Sequence, residues 1–408
     1  MKRIFSVALG ILAAIGGFVD IGDIVFNVEA GATLGYQLLW AVVIGVGAII
    51  TYSEMCGRVA AVSGRAVFDA VRERLGFGLG LLSLISAQLV TFLTLAAEVG
   101  GIGLALQLLS GLNYRALLLL GAAALAVIVW VSPFEVIERV FGYCGLALLV
   151  FAVAAIKLHP DWGAVGSGFV PQPDTGNLAI YGFFAVGLIG AATVPYEVYF
   201  YSSGAVEEGW TAQNLGVNRA NAIIGYSLGG LLSFALMIGA GALFLPQGIS
   251  PESLGSVGML AEVPLGTIGL LLALVGILFA VGGAAIDTVF SGAYNTAQFF
   301  GWEWGKHRKP ADASRFTIAW LVLLLLGLLV VMTGVDPILV TEYSVIFSVV
   351  ALPATYIPIL LVANDRAYMG RYANGRLANV FGIFFLIVIL VVAVSAIPLM
   401  ILSNMGQG

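Results

Sequence analysis

The chain has 408 residues, of which 61% are hydrophobic and only 10% are charged. Its mean hydropathy of +1.06 is typical of a polytopic membrane protein and excludes an ordinary soluble enzyme or nucleic-acid-binding domain. The net charge of −5 says little about partners, and two cysteines do not form a disulfide framework.

Eleven apolar stretches are long enough to cross about 30 Å of hydrocarbon, and we number them spans 1 to 11. They lie near residues 5–28, 35–61, 79–109, 116–132, 139–157, 178–203, 217–245, 264–299, 316–334, 338–363 and 378–402. Residues 64–76 have the spacing of an amphipathic helix at the membrane interface. The loops are short, so we expect one membrane domain over residues 1–408.

Lysine and arginine are distributed very unequally between the two sides of these spans. With a cytoplasmic N-terminus, fifteen of the seventeen lie on the cytoplasmic side, and only Arg115 and Lys157 lie outside. The positive-inside rule therefore predicts a multi-pass protein of the cell membrane with its C-terminus outside. The first residues could also mimic a signal peptide, but removing them would break this charge bias.

Span 1 carries two acidic residues at a depth where a charge costs at least ~2.5 kcal/mol. Asp20 and Asp23 are three positions apart, and the neighbouring Gly16, Gly17 and Gly22 are poor helix formers. The pattern predicts a helix that unwinds in mid-membrane. Its freed carbonyls and its carboxylates could then hold a cation.

Span 6 contains a proline at a comparable depth. Pro195 has no N–H, so it leaves the carbonyl of Ala191 without its helical donor and interrupts the helix. Spans 1 and 6 are five helices apart. Interruptions at corresponding places in two halves are typical of inverted-repeat transporters and mark their binding site.

In order along the chain, these phrases resemble the Nramp family of divalent-metal transporters. Residues 20–23 read Asp-Ile-Gly-Asp where the family carries Asp-Pro-Gly-Asn. Residues 190–196 read Gly-Ala-Ala-Thr-Val-Pro-Tyr where the family carries Gly-Ala-Thr-Val-Met-Pro-His. Further similar phrases lie at residues 29–32, 35–40, 97–99, 364–366 and 369–371.

The resemblance implies an all-α, LeuT-like 5+5 inverted repeat with about 11 transmembrane helices, of which helices 1 and 6 are broken at mid-membrane. Repeat 1 would cover about 5–157, repeat 2 about 178–363, and an extra helix about 378–402. Transport would then proceed by alternating access about a site near the middle of the bilayer.

Two departures from the family pattern change the expected ligands. The family's span-1 asparagine is Asp23 here, and its metal-binding methionine is Val194. The site loses a thioether and gains a carboxylate, which suits Mg²⁺, Ca²⁺ and Mn²⁺ better than soft transition metals. The change points to a magnesium-type branch, and a small valine would leave room for retained water. The ligands implied are Asp20, Asp23, the carbonyls of Gly17 and Ala191, and Glu197 as a ligand or near neighbour.

Other departures concern proton coupling. Tyr196 and Tyr201 replace two family histidines, and Leu95 replaces an acid three positions before Glu98. In span 10, Ala351 replaces a glutamine. Tyrosine has an ordinary pKa of about 10 and would not titrate at physiological pH. We therefore expect weak or absent proton coupling.

The two aspartates also have simpler interpretations. Asp20 could cap a helix or join a salt bridge, although no lysine or arginine lies at its depth. Asp23 could be the N-cap of the second half-helix, which is compatible with binding metal through water. We expect the residues around the breaks to shape the backbone or gate the site: Gly22, Val194, Pro195 and Tyr196.

The remaining acids have open roles. Glu197 is either a ligand or a residue that caps the helix after the proline or lines a vestibule. Glu98 is either a functional carboxylate facing the vestibule or a buried protonated acid. Asp287 in span 8 and Glu54 in span 2 fit a network or a gate better than direct ligation, and Tyr201 joins the candidate coupling or vestibule residues.

We therefore expect a secondary transporter of hard divalent cations, Mg²⁺ with Mn²⁺ as a competitor, and not an enzyme. It would need no cofactor besides its cargo; its partners would be the metal ion and the lipid bilayer, with no nucleic acid and no obligatory protein partner. The alternatives are a proton-coupled Mn²⁺/Fe²⁺ transporter of the same family and a LeuT-like carrier of an organic substrate. A membrane sensor or enzyme is a third class, but no loop supplies an output domain and no catalytic motif is convincing.

Overall fold

The computed structural model describes residues 18–173, 176–251 and 253–407. Within these ranges, ten helices are long and apolar enough to cross a membrane, and they correspond to spans 2 to 11. In chain order they are Leu39–Ser63, Val67–Ser110, Tyr114–Val131, Phe134–Lys157, Leu178–Glu207, Ala212–Gln247, Leu254–Phe300, Ser314–Met332, Pro337–Asn364 and Arg376–Leu402. Many large apolar side chains remain exposed on the outer faces, as lipid contact requires.

Span 1 occupies the middle of the bundle. Its described part contains the helix Ile21–Leu34, whose residues are almost all buried. This helix packs chiefly against span 7 and also contacts span 10 and the first half of span 6. The expected start of span 1 and its predicted ligand Gly17 lie outside the described residues.

Span 6 is divided into two helices, as its proline predicted. Three residues, 192–194, separate the first helix, Leu178–Ala191, from the second, Pro195–Glu207. The second half packs against spans 2 and 8. Both halves are largely buried, so the break lies inside the protein and not against lipid.

Spans 3 and 8 are the longest helices and share one irregularity. Span 3 is interrupted at Gly76 (φ 83°) and span 8 at Gly266 (φ 68°), a backbone region that glycine adopts most readily. The predicted starts near residues 79 and 264 fall close to these kinks, and in each case a shorter helix, beginning at Val67 or Leu254, precedes the kink. The kink at Gly76 therefore separates the predicted interfacial segment 64–76 from span 3. The matched kinks occur in the third span of each half, as a 5+5 repeat requires.

One end of the bundle, which we call the basic end, carries the loops around residues 64–66, 208–211, 301–313 and 365–375. Cationic side chains connect its elements. Arg58 donates to the side-chain oxygen of Asn374 at 2.7 Å, and Arg74 donates to Asp365 at 2.6 Å. Both contacts join the loop after span 10 to spans 2 and 3. Glu54 pairs with Arg58 at 3.1 Å, which fits the network role expected for it.

Candidate functional site

The described part of span 1 is non-helical at Asp20, directly before its helix begins. This residue has an extended conformation (φ −89°, ψ −178°) and forms the N-cap of the helix that starts at Ile21. Its Oδ1 accepts a hydrogen bond from the backbone N–H of Asp23 at 2.8 Å. A carboxylate at this position satisfies one of the free N–H groups of the first helical turn. The capping role considered for Asp23 therefore belongs to Asp20, whose second oxygen, Oδ2, accepts from the hydroxyl of Tyr196 at 3.4 Å.

Asp23 faces a different neighbour. Both of its carboxylate oxygens accept from the hydroxyl of Ser233 in span 7, at 2.9 and 2.8 Å, and Oδ1 also accepts from the amide of Asn27 at 2.9 Å. The side chain is buried. Asp23 therefore joins span 1 to span 7, while Asp20 points to span 6.

The break in span 6 is held by hydroxyl groups of other spans. Val194 is extended at the start of the second helix, and Pro195 cannot donate to the carbonyl of Ala191. The carbonyl of Thr193 accepts from Tyr356 of span 10 at 2.9 Å. The carbonyl of Tyr196 accepts from Ser291 of span 8, also at 2.9 Å. Spans 8 and 10 thus fix the position of the break.

A small cavity lies beside Asp20. Its volume is about 10 Å³, close to the ~10 Å³ that one water requires on this measure. Gly22, Val194, Thr94 and Ser344 also line it. Val194 therefore stands next to Asp20, as the alignment with the family's methionine implied. In this arrangement the cavity holds about one water, so the room expected for several retained waters is not present beside Val194.

A second cavity, which we call the vestibule, begins at Tyr196 and ends among loop residues of the basic end. It has a volume of about 60 Å³ and is lined by both candidate acids of spans 6 and 8, Glu197 and Asp287, and by Tyr201, Glu208 and Lys306. The Tyr201 hydroxyl donates to the backbone carbonyl of Asn218 at 3.0 Å. Glu197 thus lines a vestibule, one of the two roles considered for it.

Glu98 lies between spans 3 and 8, away from the lining of both cavities. Its Oε1 accepts from the hydroxyl of Thr288 at 3.0 Å, while its Oε2 is buried without a hydrogen-bond partner. It is fully buried. Of the two positions considered for Glu98, the structure shows the buried one.

The buried acids of the site are close enough to repel one another but are not clustered as metal ligands. The carboxylate of Glu197 interacts electrostatically with those of Asp20, Asp287, Asp23 and Glu98. Among the described residues, however, no three Asp, Glu, His or Cys side chains lie close enough together to hold a metal ion. A metal site among these residues would therefore combine at most two carboxylates with backbone carbonyls and water.

Comparison with known proteins identifies the family. The Nramp family, described as natural resistance-associated macrophage protein-like, matches residues 10–398 of the chain. The chain belongs to the Nramp family. Nramp proteins are membrane transporters and not enzymes.

Two Nramp relatives are both named divalent metal cation transporter MntH. The Deinococcus radiodurans protein is 28% identical over 93% of this chain and 86% of its own length. The Aeromonas hydrophila protein is 27% identical over 94% of this chain and 93% of its own length. The chain therefore spans nearly the whole of these relatives.

A solved Nramp structure confirms the fold. The crystal structure of the Eremococcus coleocola manganese transporter, in complex with an aromatic bis-isothiourea compound, superimposes with a TM-score of 0.79 at 20% identity. The match covers 97% of this chain and 86% of that one. The LeuT-like, all-α architecture that the family resemblance implied is confirmed.

Several residues that contact the Nramp helix breaks or line the two cavities were missed by sequence reasoning. They are hydroxyl or amide side chains from other spans: Ser233, Ser291, Tyr356, Thr94, Ser344 and Asn221. Isolated serine and threonine residues are common in transmembrane helices, where they often bond to their own backbone. Their positions alone therefore gave no signal, and only the packing of the spans identifies their partners.

Proposed function

We propose that this Nramp-family chain carries hard divalent cations, Mg²⁺ and Mn²⁺, across the cell membrane by alternating access. The observation that carries the proposal is the composition of the cavity at the span-1 break. Asp20 lies there beside the hydroxyl groups of Thr94 and Ser344, and Val194 contributes no sulfur atom. An oxygen-only donor set favours hard cations over Cd²⁺ and other soft ions.

The names of the relatives support divalent cations as the cargo class. Both MntH proteins are divalent metal cation transporters, and the solved structural relative is a manganese transporter. The buried acids add a physical argument, because a negative pocket attracts a doubly charged ion and repels an organic carboxylate. In this proposal Asp20, Asp23 and the Ala191 carbonyl are the central ligands, and a single chain is the transporting unit.

Weak or absent proton coupling is the second part of the proposal. Tyr196 occupies the position beside Asp20 where the family carries a histidine, and its hydroxyl donates toward Oδ2 of Asp20 at 3.4 Å. A phenol ordinarily titrates near pH 10, so it does not exchange protons in the physiological range. The Tyr196 hydroxyl therefore remains a hydrogen-bond donor to Asp20 throughout the physiological pH range.

Proton-coupled transport of Mn²⁺ or Fe²⁺ is the competing candidate. Glu98 favours it, because this fully buried acid has one oxygen without a partner and interacts electrostatically with Glu197. Buried carboxyl groups within membrane spans are frequent members of proton relays. The two candidates differ in a measurable quantity, the number of protons moved per metal ion.

We further propose that the basic end is cytoplasmic. The loops at this end carry most of the lysine and arginine residues, which are retained on the cytoplasmic side during insertion. The vestibule would then open toward the cytoplasm, and the C-terminus would lie outside.

Flux measurements in proteoliposomes test the proposal. The full chain would be given Mg²⁺, Mn²⁺ or Cd²⁺ at fixed membrane potential, with a pH-sensitive dye in the lumen. We expect Mg²⁺ and Mn²⁺ uptake that exceeds Cd²⁺ uptake, without acidification proportional to metal flux. Cd²⁺ uptake with no Mg²⁺ uptake would contradict the hard-cation site. Acidification that follows metal entry would favour the proton-coupled candidate.

A further inference from the structure

The vestibule has an excess of negative charge. Four carboxylates line it, from Glu138, Glu197, Glu208 and Asp287, against one ammonium group, that of Lys306. The difference, four negative charges and one positive, leaves an excess of three negative charges. Its volume of about 60 Å³ is six times that of the cavity at Asp20, which is about 10 Å³. The vestibule therefore has both the charge and the space for a cation with part of its water shell.

Two of these four carboxylates already have partners. Glu138 lies 3.8 Å from the ammonium of Lys306. Glu208 accepts a hydrogen bond from the indole N–H of Trp210 at 2.9 Å. The other two acids, Glu197 and Asp287, are placed differently. Glu197 is only 6% exposed, and its Oε2 has no hydrogen-bond partner, although Asp287 and the cavity lie beside it.

An independent feature of span 7 faces the same space. Asn221 is 1% exposed and lines the vestibule, and its Oδ1 has no hydrogen-bond partner. It is the first residue of a π-helical turn, Asn221–Gly225, inside an otherwise regular membrane helix. Such turns are rare and occur frequently at functional sites. A buried amide oxygen without a donor is an unfavourable arrangement that a cation or its water would relieve.

We infer that the vestibule is a second cation site, in which a hydrated divalent ion is held by Glu197, Asp287 and the side-chain oxygen of Asn221. The inference rests on the proposed function, since it adds a second binding site for the same transported cation. We place water between these groups and the ion, because the cavity of about 60 Å³ has room for a partly hydrated cation. Mg²⁺ characteristically keeps several waters and uses few carboxylates.

Tyr196 lies between the two binding sites, the one at Asp20 and the one in the vestibule. Tyr196 lines the vestibule, and its hydroxyl contacts Asp20 at the central break. An ion that leaves Asp20 toward the basic end therefore passes this side chain and meets Glu197, the next residue along the same helix. The second site would receive the ion together with the water that the narrower central cavity excludes.

Counting bound ions tests the inference. The purified full chain would be titrated with Mn²⁺, and free Mn²⁺ would be measured by electron paramagnetic resonance. We expect two ions per chain. Asp20→Ala should remove the central ion and keep the other. Asp287→Asn and Glu197→Gln should each weaken the second ion about tenfold or more, since each removes one full charge beside it.

Two further variants distinguish binding at a specific site from an effect of the total vestibule charge and from a folding defect. Glu208→Gln removes a vestibule carboxylate that already has a partner, and we expect it to weaken the second ion less than about twofold. Asn221→Asp adds a charge at the proposed ligand and should tighten the second ion several-fold, which a folding defect cannot produce.

The outcomes distinguish this inference from the function on which it rests. A single ion per chain, lost in Asp20→Ala and unaffected by Asp287→Asn, would overturn the second site and leave the transport proposal intact. Equal weakening by Glu208→Gln and Asp287→Asn would also overturn it, because the vestibule would then act only through its total charge. Absence of any Mn²⁺ binding by the unaltered chain would overturn the transport proposal as well.

Discussion

The hydroxyl of Tyr196 lies 3.4 Å from Oδ2 of Asp20, so the two broken spans meet through this pair of side chains. Asp20 uses its other oxygen to cap the helix of span 1. The Asp20 carboxylate therefore caps the helix of span 1 with Oδ1 and contacts the second helix of span 6 with Oδ2. The predictions below separate these roles.

Replacing Asp20 separates helix capping from charge. Asparagine is as good an N-cap as aspartate, so Asp20→Asn should keep the thermal stability but lose most metal binding and uptake. Asp20→Ala should lose binding and also destabilise the chain by about 1 kcal/mol, because the cap is removed. Thermal unfolding in detergent and metal titration would be compared for both. Full uptake by Asp20→Asn would show that the charge is not needed.

Val194→Met restores a thioether beside Asp20 and should increase Cd²⁺ uptake relative to Mg²⁺ uptake, since sulfur favours soft ions. Val194→Leu is the matched control, because leucine adds bulk without sulfur. Cd²⁺ and Mg²⁺ fluxes in proteoliposomes measure the ratio. If both variants change the ratio equally, size and not ligand chemistry determines the selectivity.

Tyr196→His places a titratable group at the contact with Asp20. We expect metal uptake to fall as the pH drops through about 6.5, the ordinary pKa of histidine, because an imidazolium there repels a divalent cation. Tyr196→Phe removes the hydroxyl without adding a titratable group, and its uptake should not acquire this pH dependence. Uptake between pH 5.5 and 8 would be measured for both, and identical pH profiles would argue against direct contact with the cargo path.

Ser233→Ala removes the hydroxyl that donates to both oxygens of Asp23. A buried polar group that loses its partner costs about 1–3 kcal/mol, so we expect a clear fall in the unfolding temperature. Ser395→Ala is the control, because that exposed serine only bonds to its own helix, through the carbonyl of Val391. Equal unfolding temperatures for the two variants would show that the link between spans 1 and 7 contributes little stability.

The two helix breaks could be predicted because their causes are local. Pro195 removes a backbone donor wherever it occurs in a helix, and acids with neighbouring glycines weaken span 1 at one point. The family phrases around these residues then gave the architecture. The kinks at Gly76 and Gly266 were not predicted, because chain position and hydropathy do not reveal a positive φ.

The contacts of the site could not be predicted in the same way. Asp23 and Ser233 are 210 positions apart, and only the packing of span 1 against span 7 brings them together. The assignment of the cap to Asp20 and not Asp23 depends on where the helix begins, which hydropathy locates only within a few residues. The π-helical turn at Asn221 has no recognisable sequence pattern either.

The link between Asp23 and Ser233 has a mechanical consequence. While Ser233 donates to both carboxylate oxygens, Asp23 holds the helix of span 1 against span 7. A metal ion that recruits Asp23 would compete with the serine hydroxyl for those oxygens. Binding of the cargo would then weaken the contact between spans 1 and 7. The free energy of metal coordination would in this way be coupled directly to the relative movement of these two helices.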